Sequence, residues 1–186
     1  MQRTTRRGME WLSAAADDPE QCRQTWAEDP RMPCLLATGR HFDVVSVHER
    51  LGLEMFDRLL RSGMPFGPSM IDRKVQRVGF FLGSQSRETF THYLGRETSC
   101  PPPHRYLDEG AVVVVPGPMP LSFDRYQWLR APMRRPAANP LRPVALATAL
   151  VASAEVLARI DRFDDEYPTP YAAVNALPGE MPNGAG

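Results

Sequence analysis

The chain has 186 residues, 42% of them hydrophobic and 24% charged, which suits one soluble globular domain with a sizeable core. Its formal net charge is zero. That excludes a strongly basic nucleic-acid-binding chain but leaves room for a local basic patch.

Lys74 is the one lysine among 22 basic residues. With abundant Ala, Pro and Gly, this points to a GC-rich genome such as an actinobacterial one. Three cysteines, Cys22, Cys34 and Cys100, are scattered without C-x-x-C spacing, so they are expected to be reduced and structural rather than a disulfide framework or zinc site. No apolar run approaches the roughly 20 residues of a membrane span. The basic start "MQRTTRRGME" is not followed by an apolar signal segment. A cytoplasmic protein with no membrane partner is expected.

In chain order, residues 1–8 read as a flexible basic N-terminus. "MEWLSAAADDPEQCRQTWAED" is helical, with Asp18 capping a helix that begins at Pro19 and Gln21 at the capping-box position. Cys22 and Trp26 share a face of that helix. "PCLLAT" is a short strand before a turn at Gly39-Arg40, and "FDVVSVH" is the next strand. "LGLEMFDRLLRSG" is an amphipathic helix with Leu53, Phe56, Leu59 and Leu60 as its stripe and Gly63 as its stop. "FGPSMI" and "RVGFFL" pair through a polar turn at Asp72-Arg73-Lys74.

"SRETFTHYLGRE" is a helix capped by Ser86, and "SCPPPHRY" is extended because its prolines forbid a helix. "AVVVVP" reads as a central strand buried on both faces and "YQWLRAP" as a short strand. A long Ala/Leu helix follows at about 141–163, with Pro143 in its first turn. Residues 168–186 are rich in Pro, Gly and Asn and read as a disordered tail. The expected fold is α+β (mixed α/β): one domain over 9–167, a sheet flanked by helices with a long C-terminal helix.

The order of these pieces carries a resemblance. "DPEQCRQTWAEDPRMPCLLATGRHFDVVSVHERLG" resembles the opening of the bifunctional DNA primase/polymerase N-terminal domain, in the archaeo-eukaryotic primase superfamily. "RVGFFL" stands where that family has its Gly-x-His-hydrophobic-aromatic strand. "LDEGAVVVVPGPMPLSFDRYQWL" resembles its Gly-rich turn, apolar strand, Pro-rich loop and Arg-Tyr-x-Trp ending. The resemblance covers roughly Trp11 to Pro132 and implies metal-dependent nucleotide joining, with acidic side chains holding two divalent ions.

The sequence departs from the family at those acids. Aligned without a gap from Ala37-Thr38-Gly39, the two acids of the first motif fall on Ser46 and His48. The histidine of the second falls near Val78, and the third acid near Arg105. Asp43 and Glu49 lie on the opposite strand face and would need a one-residue slip, or a bulge for Glu49, to replace them. Glu49, Asp108 and Glu109 are weak metal candidates. Ser46 and His48, at i and i+2, are about 6–7 Å apart, too far for a direct Ser-His pair. Asp108-Glu109-Gly110 reads as a turn.

Candidate nucleic-acid or nucleotide contacts are Arg40, His48, Arg105, Arg125, Tyr126, Trp128, Arg130, Arg134 and Arg135. Arginines interleaved with aromatics suit phosphates and unstacked bases. The alternative is a solvated loop paired to the acidic end of the long helix, Asp161 to Glu166, with Trp11, Trp26 and Trp128 as core or cleft wall. The leading expectation is a catalytically degenerate primase/polymerase-like module that binds single-stranded nucleic acid or a nucleotide, or regulates, with no catalytic residue and no cofactor. The alternatives are an active nucleotidyltransferase with rearranged acids and Mg or Mn, or a protein-interaction module or homodimer.

Overall fold

The computed structural model describes residues 3–135 and 139–166. In chain order these form α1 (Arg6–Ser13), α2 (Pro19–Glu28), β1 (Cys34–Ala37), β2 (Phe42–His48), α3 (Glu49–Arg61), β3 (Ser69–Asp72), β4 (Arg77–Gly83), α4 (Arg87–Glu97), β5 (His104–Leu107), β6 (Val112–Val115), β7 (Tyr126–Arg130) and α5 (Leu141–Glu166). Five strands make an antiparallel sheet in the order β5-β2-β4-β3-β7, and β1 and β6 pair as a separate ribbon. The domain is α+β, as the mixture of a hairpin and helices implies.

Strand alternation explains the layering. Val45, Val47, Val78, Phe80, Leu82 and Ile71 face one way and pack with Met55 and Leu59 of α3, Phe90 and Leu94 of α4, and Leu146 and Leu150 of α5. Phe42, Val44, Phe81, Met70 and Trp128 face the other way, against Leu36, Val113 and Val115 of the ribbon and Trp11, Leu12 and Trp26 of the N-terminal helices. The main sheet is therefore covered on both faces.

Local signals place many of the boundaries. Asp18 caps α2, its carboxylate accepting from the N–H groups of Glu20 and Gln21 at 3.0 and 2.9 Å. Cys22 and Trp26 are both buried, as their shared face requires. Gly39 turns the chain from β1 to β2 with φ +93°, and a Cβ there would lie 2.4 Å from the Glu109 backbone nitrogen. Only glycine meets both demands.

Several expectations change. The segment read as a flexible N-terminus supplies the first residues of α1, Arg6 to Gly8, with the Thr5 hydroxyl accepting from Gly8 N–H at 3.2 Å and the Thr4 N–H bonded to Pro118 O. Leu53 and Leu60 are exposed, and the buried stripe of α3 is Leu51, Met55 and Leu59. The helix begins directly after β2, and that start sets which i, i+4, i+8 row meets the sheet.

Ser86 precedes α4 without capping it through its side chain. Its hydroxyl donates to Gly83 O, and its N–H donates to the Asp43 carboxylate. The "VVVV" strand is not central. It pairs with β1 alone and exposes Val112, because an unbroken valine run carries no period from which to read its faces. α5 is long and apolar enough by length and composition to cross a membrane, but it lies on α3 and α4 and buries Leu146, Leu150 and Val151 in the core. Cys22 and Cys34 are not isolated: their sulfurs are 2.9 Å apart. The expected tail, 168–186, lies outside the described residues.

Gly52 brings α3 close to β4. A Cβ at this position would fall 2.4 Å from Val78 Cβ. Gly52→Ala gains about 1 kcal/mol of helix propensity but overpacks this contact by about 1–3 kcal/mol. A net loss of stability in urea unfolding is expected, with recovery in Gly52→Ala/Val78→Ala. A simple gain in Gly52→Ala would contradict the close approach.

Candidate functional site

β2 runs between β4 and β5, and its register sets the site. Ser46 stands opposite Gly79 on one side and Arg105 on the other. Opposed residues in a sheet share a face, so Ser46, Gly79 and Arg105 look toward the ribbon. Arg77, two residues before Gly79, shares that face. They line a cleft of about 520 Å³ between the main sheet and β6, closed on its β3/β7 side by Asp72, Arg125 and Tyr126.

Arg77 is anchored over Ser46. Its Nε donates to Ser46 Oγ at 3.1 Å and its Nη2 to the Ser46 carbonyl at 2.7 Å. Burial, and then the charge of Arg105, push its guanidinium below the ordinary value. Arg105 is exposed on β5. Among the described residues no acidic side chain forms an ion pair with Arg77 or Arg105.

Among the described residues, the one acid lining the cleft is Asp72, already engaged. Arg125 donates to both of its oxygens at 2.8 Å, and the backbone N–H groups of Lys74 and Val75 donate to Oδ1. Burial raises the Asp72 carboxyl, but Arg125 and those N–H groups outweigh it and leave it below the usual value. Arg125 also lies over the Tyr126 ring, 4.6 Å from its centroid.

The other candidates are dispersed. His48 caps α3, its Nδ1 accepting from Arg50 N–H at 3.4 Å, and it does not line the cleft. Val78 is fully buried on the helix side of β4. Asp43 also faces the helices. It accepts from Tyr106 Oη at 2.8 Å and Ser86 N–H at 3.1 Å, and burial pushes its carboxyl up. Glu49 is paired with Arg73 at 2.6 Å, Asp108 is held by Arg87, and Glu109 is exposed.

The group expected around Arg125 divides along β7. Trp128 is core: it is 7% exposed and its indole N–H donates to Gly117 O at 3.1 Å. Arg130 lies over the Phe66 ring and, with Arg134 and Arg142, borders a separate pocket of about 220 Å³. Arg40 and Arg135 stand near His41, where burial and then their charges depress the imidazole's basicity. At the acidic end of α5, Asp161 pairs with Arg50 at 2.7 Å.

Two cleft residues went unnoticed in the sequence. Arg77 was legible from alternation, since it stands two positions before a glycine opposite Ser46. In the sequence Asp72 is part of a turn, and its partner Arg125 is far away in the chain.

A pair of divalent ions does not fit this donor set. Carboxylate oxygens are what such ions need, and the cleft offers three guanidinium groups against one carboxylate that is already paired. Among the described residues no three His, Cys, Asp or Glu side chains are grouped to hold a metal.

The Asp72 carboxyl is held below its ordinary value in the folded chain. Its charge therefore adds stability above the unfolded value and loses it as pH falls through the folded one. Asp72→Asn should cost about 1–2 kcal/mol at neutral pH. Chemical unfolding across pH should show that cost shrinking below about pH 4. A pH-independent cost would contradict the ion pair.

The family model described as bifunctional DNA primase/polymerase, N-terminal, matches residues 3–143, from before α1 into the first turn of α5. No curated protein and no solved structure matches the chain. With the match spanning most of its length, the chain belongs to the bifunctional DNA primase/polymerase N-terminal domain family.

Proposed function

We propose that this chain is a catalytically degenerate primase/polymerase-like domain whose cleft binds the phosphates of single-stranded nucleic acid or a nucleotide, in a binding or regulatory role. The observation that carries the reading is the cross-strand set Arg105–Ser46–Gly79, with Arg77 anchored on Ser46; of these, Ser46 and Arg105 stand where the resemblance calls for metal-holding acids. Guanidinium groups repel a divalent cation and attract a phosphate, to which they can donate two parallel hydrogen bonds. Among the described residues no acidic side chain takes up Arg105, and Tyr126 offers an aromatic face at the cleft edge. Arg77 is committed to Ser46 and contributes charge and floor.

This reading also supports a division between the two basic regions. Arg105, Arg77 and Arg125 form the cleft set, while Arg130, Arg134 and Arg142 lie at the other end of β7. Binding of labelled single-stranded DNA, followed by fluorescence anisotropy at several salt concentrations, separates them. Affinity is expected to fall linearly on a log-log salt plot, with a slope of about −0.7 per phosphate contacted. Arg105→Ala should weaken binding roughly tenfold and flatten the slope by about one contact.

Asp72→Asn, which neutralises the carboxylate lining the cleft, should tighten binding. Loss on Arg134→Ala with none on Arg105→Ala would move the interface to the far pocket. Metal-dependent primer extension that disappears in His48→Ala would overturn the degenerate reading.

A further inference from the structure

Helix α2 and strand β1 each present one cysteine to the other. The Cys22 and Cys34 sulfurs lie 2.9 Å apart, and both are free thiols. Bonding distance is about 2.0 Å, so the two sulfurs need to close by roughly 1 Å. The intervening segment is already folded back for closure. The Trp26 indole N–H donates to Met32 O at 3.0 Å, Met119 N–H donates to Pro30 O at 2.9 Å, and Arg31 pairs with Asp124.

The two thiols differ in access. Cys22 is 5% exposed, in the core with Trp26 and Leu36, whereas Cys34 is partly exposed at the start of β1. The hydrogen bond between them favours the thiolate on Cys34 and, with burial, disfavours it on Cys22. An accessible attacking sulfur beside a buried resolving one is the arrangement that thiol–disulfide exchange requires.

We propose that Cys22 and Cys34 are a reversible dithiol–disulfide pair, oxidised by a low-molecular-weight disulfide, that staples α2 to β1, the pairing partner of cleft-lining β6. The Cys34 thiolate attacks the disulfide RSSR, forming Cys34–S–S–R and releasing RS⁻. Cys22 then loses its proton to the released thiolate and attacks the Cys34 sulfur, expelling a second RS⁻, which takes up from solvent the proton that Cys34 gave up on ionising. Two protein thiols are oxidised to one disulfide, and RSSR is reduced to two RSH. The site is independent of any ligand in the cleft.

The test is to equilibrate the purified chain in mixtures of oxidised and reduced glutathione, alkylate the remaining thiols and map the peptides by mass spectrometry. Cys22 and Cys34 should become protected together as one intramolecular cross-linked pair, with Cys100 outside it. The Tm should rise by several degrees on oxidation and return with dithiothreitol. Cys34→Ala, at the more exposed position, should abolish both changes. Independent alkylation of both thiols in excess oxidised glutathione would overturn the proposal. So would a Cys34 mixed disulfide that Cys22 never resolves, or a cross-link from Cys22 to Cys100.

Discussion

The register of β2 is the constraint on which the site depends. This strand is hydrogen-bonded along both edges, to β4 and β5, and its side chains are buried against an apolar layer on each face. A slip by one residue would turn Val45 and Val47 into the cleft and drive Phe42 and Val44 among the helices. Ser46 is thereby held opposite Arg105, and Asp43 is held away on the helix side, where Tyr106 and Ser86 occupy it. The nearby acids cannot replace Ser46 without dismantling two cores.

That constraint has an electrostatic consequence. Arg77 reaches across to Ser46, Arg105 is the cross-strand neighbour of Ser46, and Asp72 is already satisfied by Arg125. Excess positive charge collects in a partly enclosed space, where it is less screened than on an open surface. The zero net charge of the whole chain hides this, because acids such as Glu49, Asp108 and Asp161 are paired elsewhere. The chemistry of the proposed function follows from where the charges are placed rather than from their total.

How much was legible in the sequence follows the same physics. Asp18 before Pro19, the hairpin between "FGPSMI" and "RVGFFL", and the alternation in "FDVVSVH" are local signals, and the structure carries each as a cap, a turn or a face. The face opposition of Ser46 and Asp43 was readable for the same reason. What failed needed distant partners. The valine run could not reveal that only β1 would pair with it, and α3 could not reveal which of its apolar rows would meet Val78. The arginine group near β7 looked like one patch in sequence, but the strand carries its two ends to different pockets and buries Trp128 between them. The meeting of Cys22 with Cys34 likewise depends on how α2 lies along β1.

The most direct test of the central claim, that the cleft is an anion site and not a metal site, is calorimetric binding of a nucleoside triphosphate with EDTA and again with excess magnesium. Binding that persists in EDTA, weakens when magnesium neutralises the triphosphate and is lost in Arg105→Glu is the expected result. Binding that requires magnesium or manganese, and survives Arg105→Glu, would contradict it.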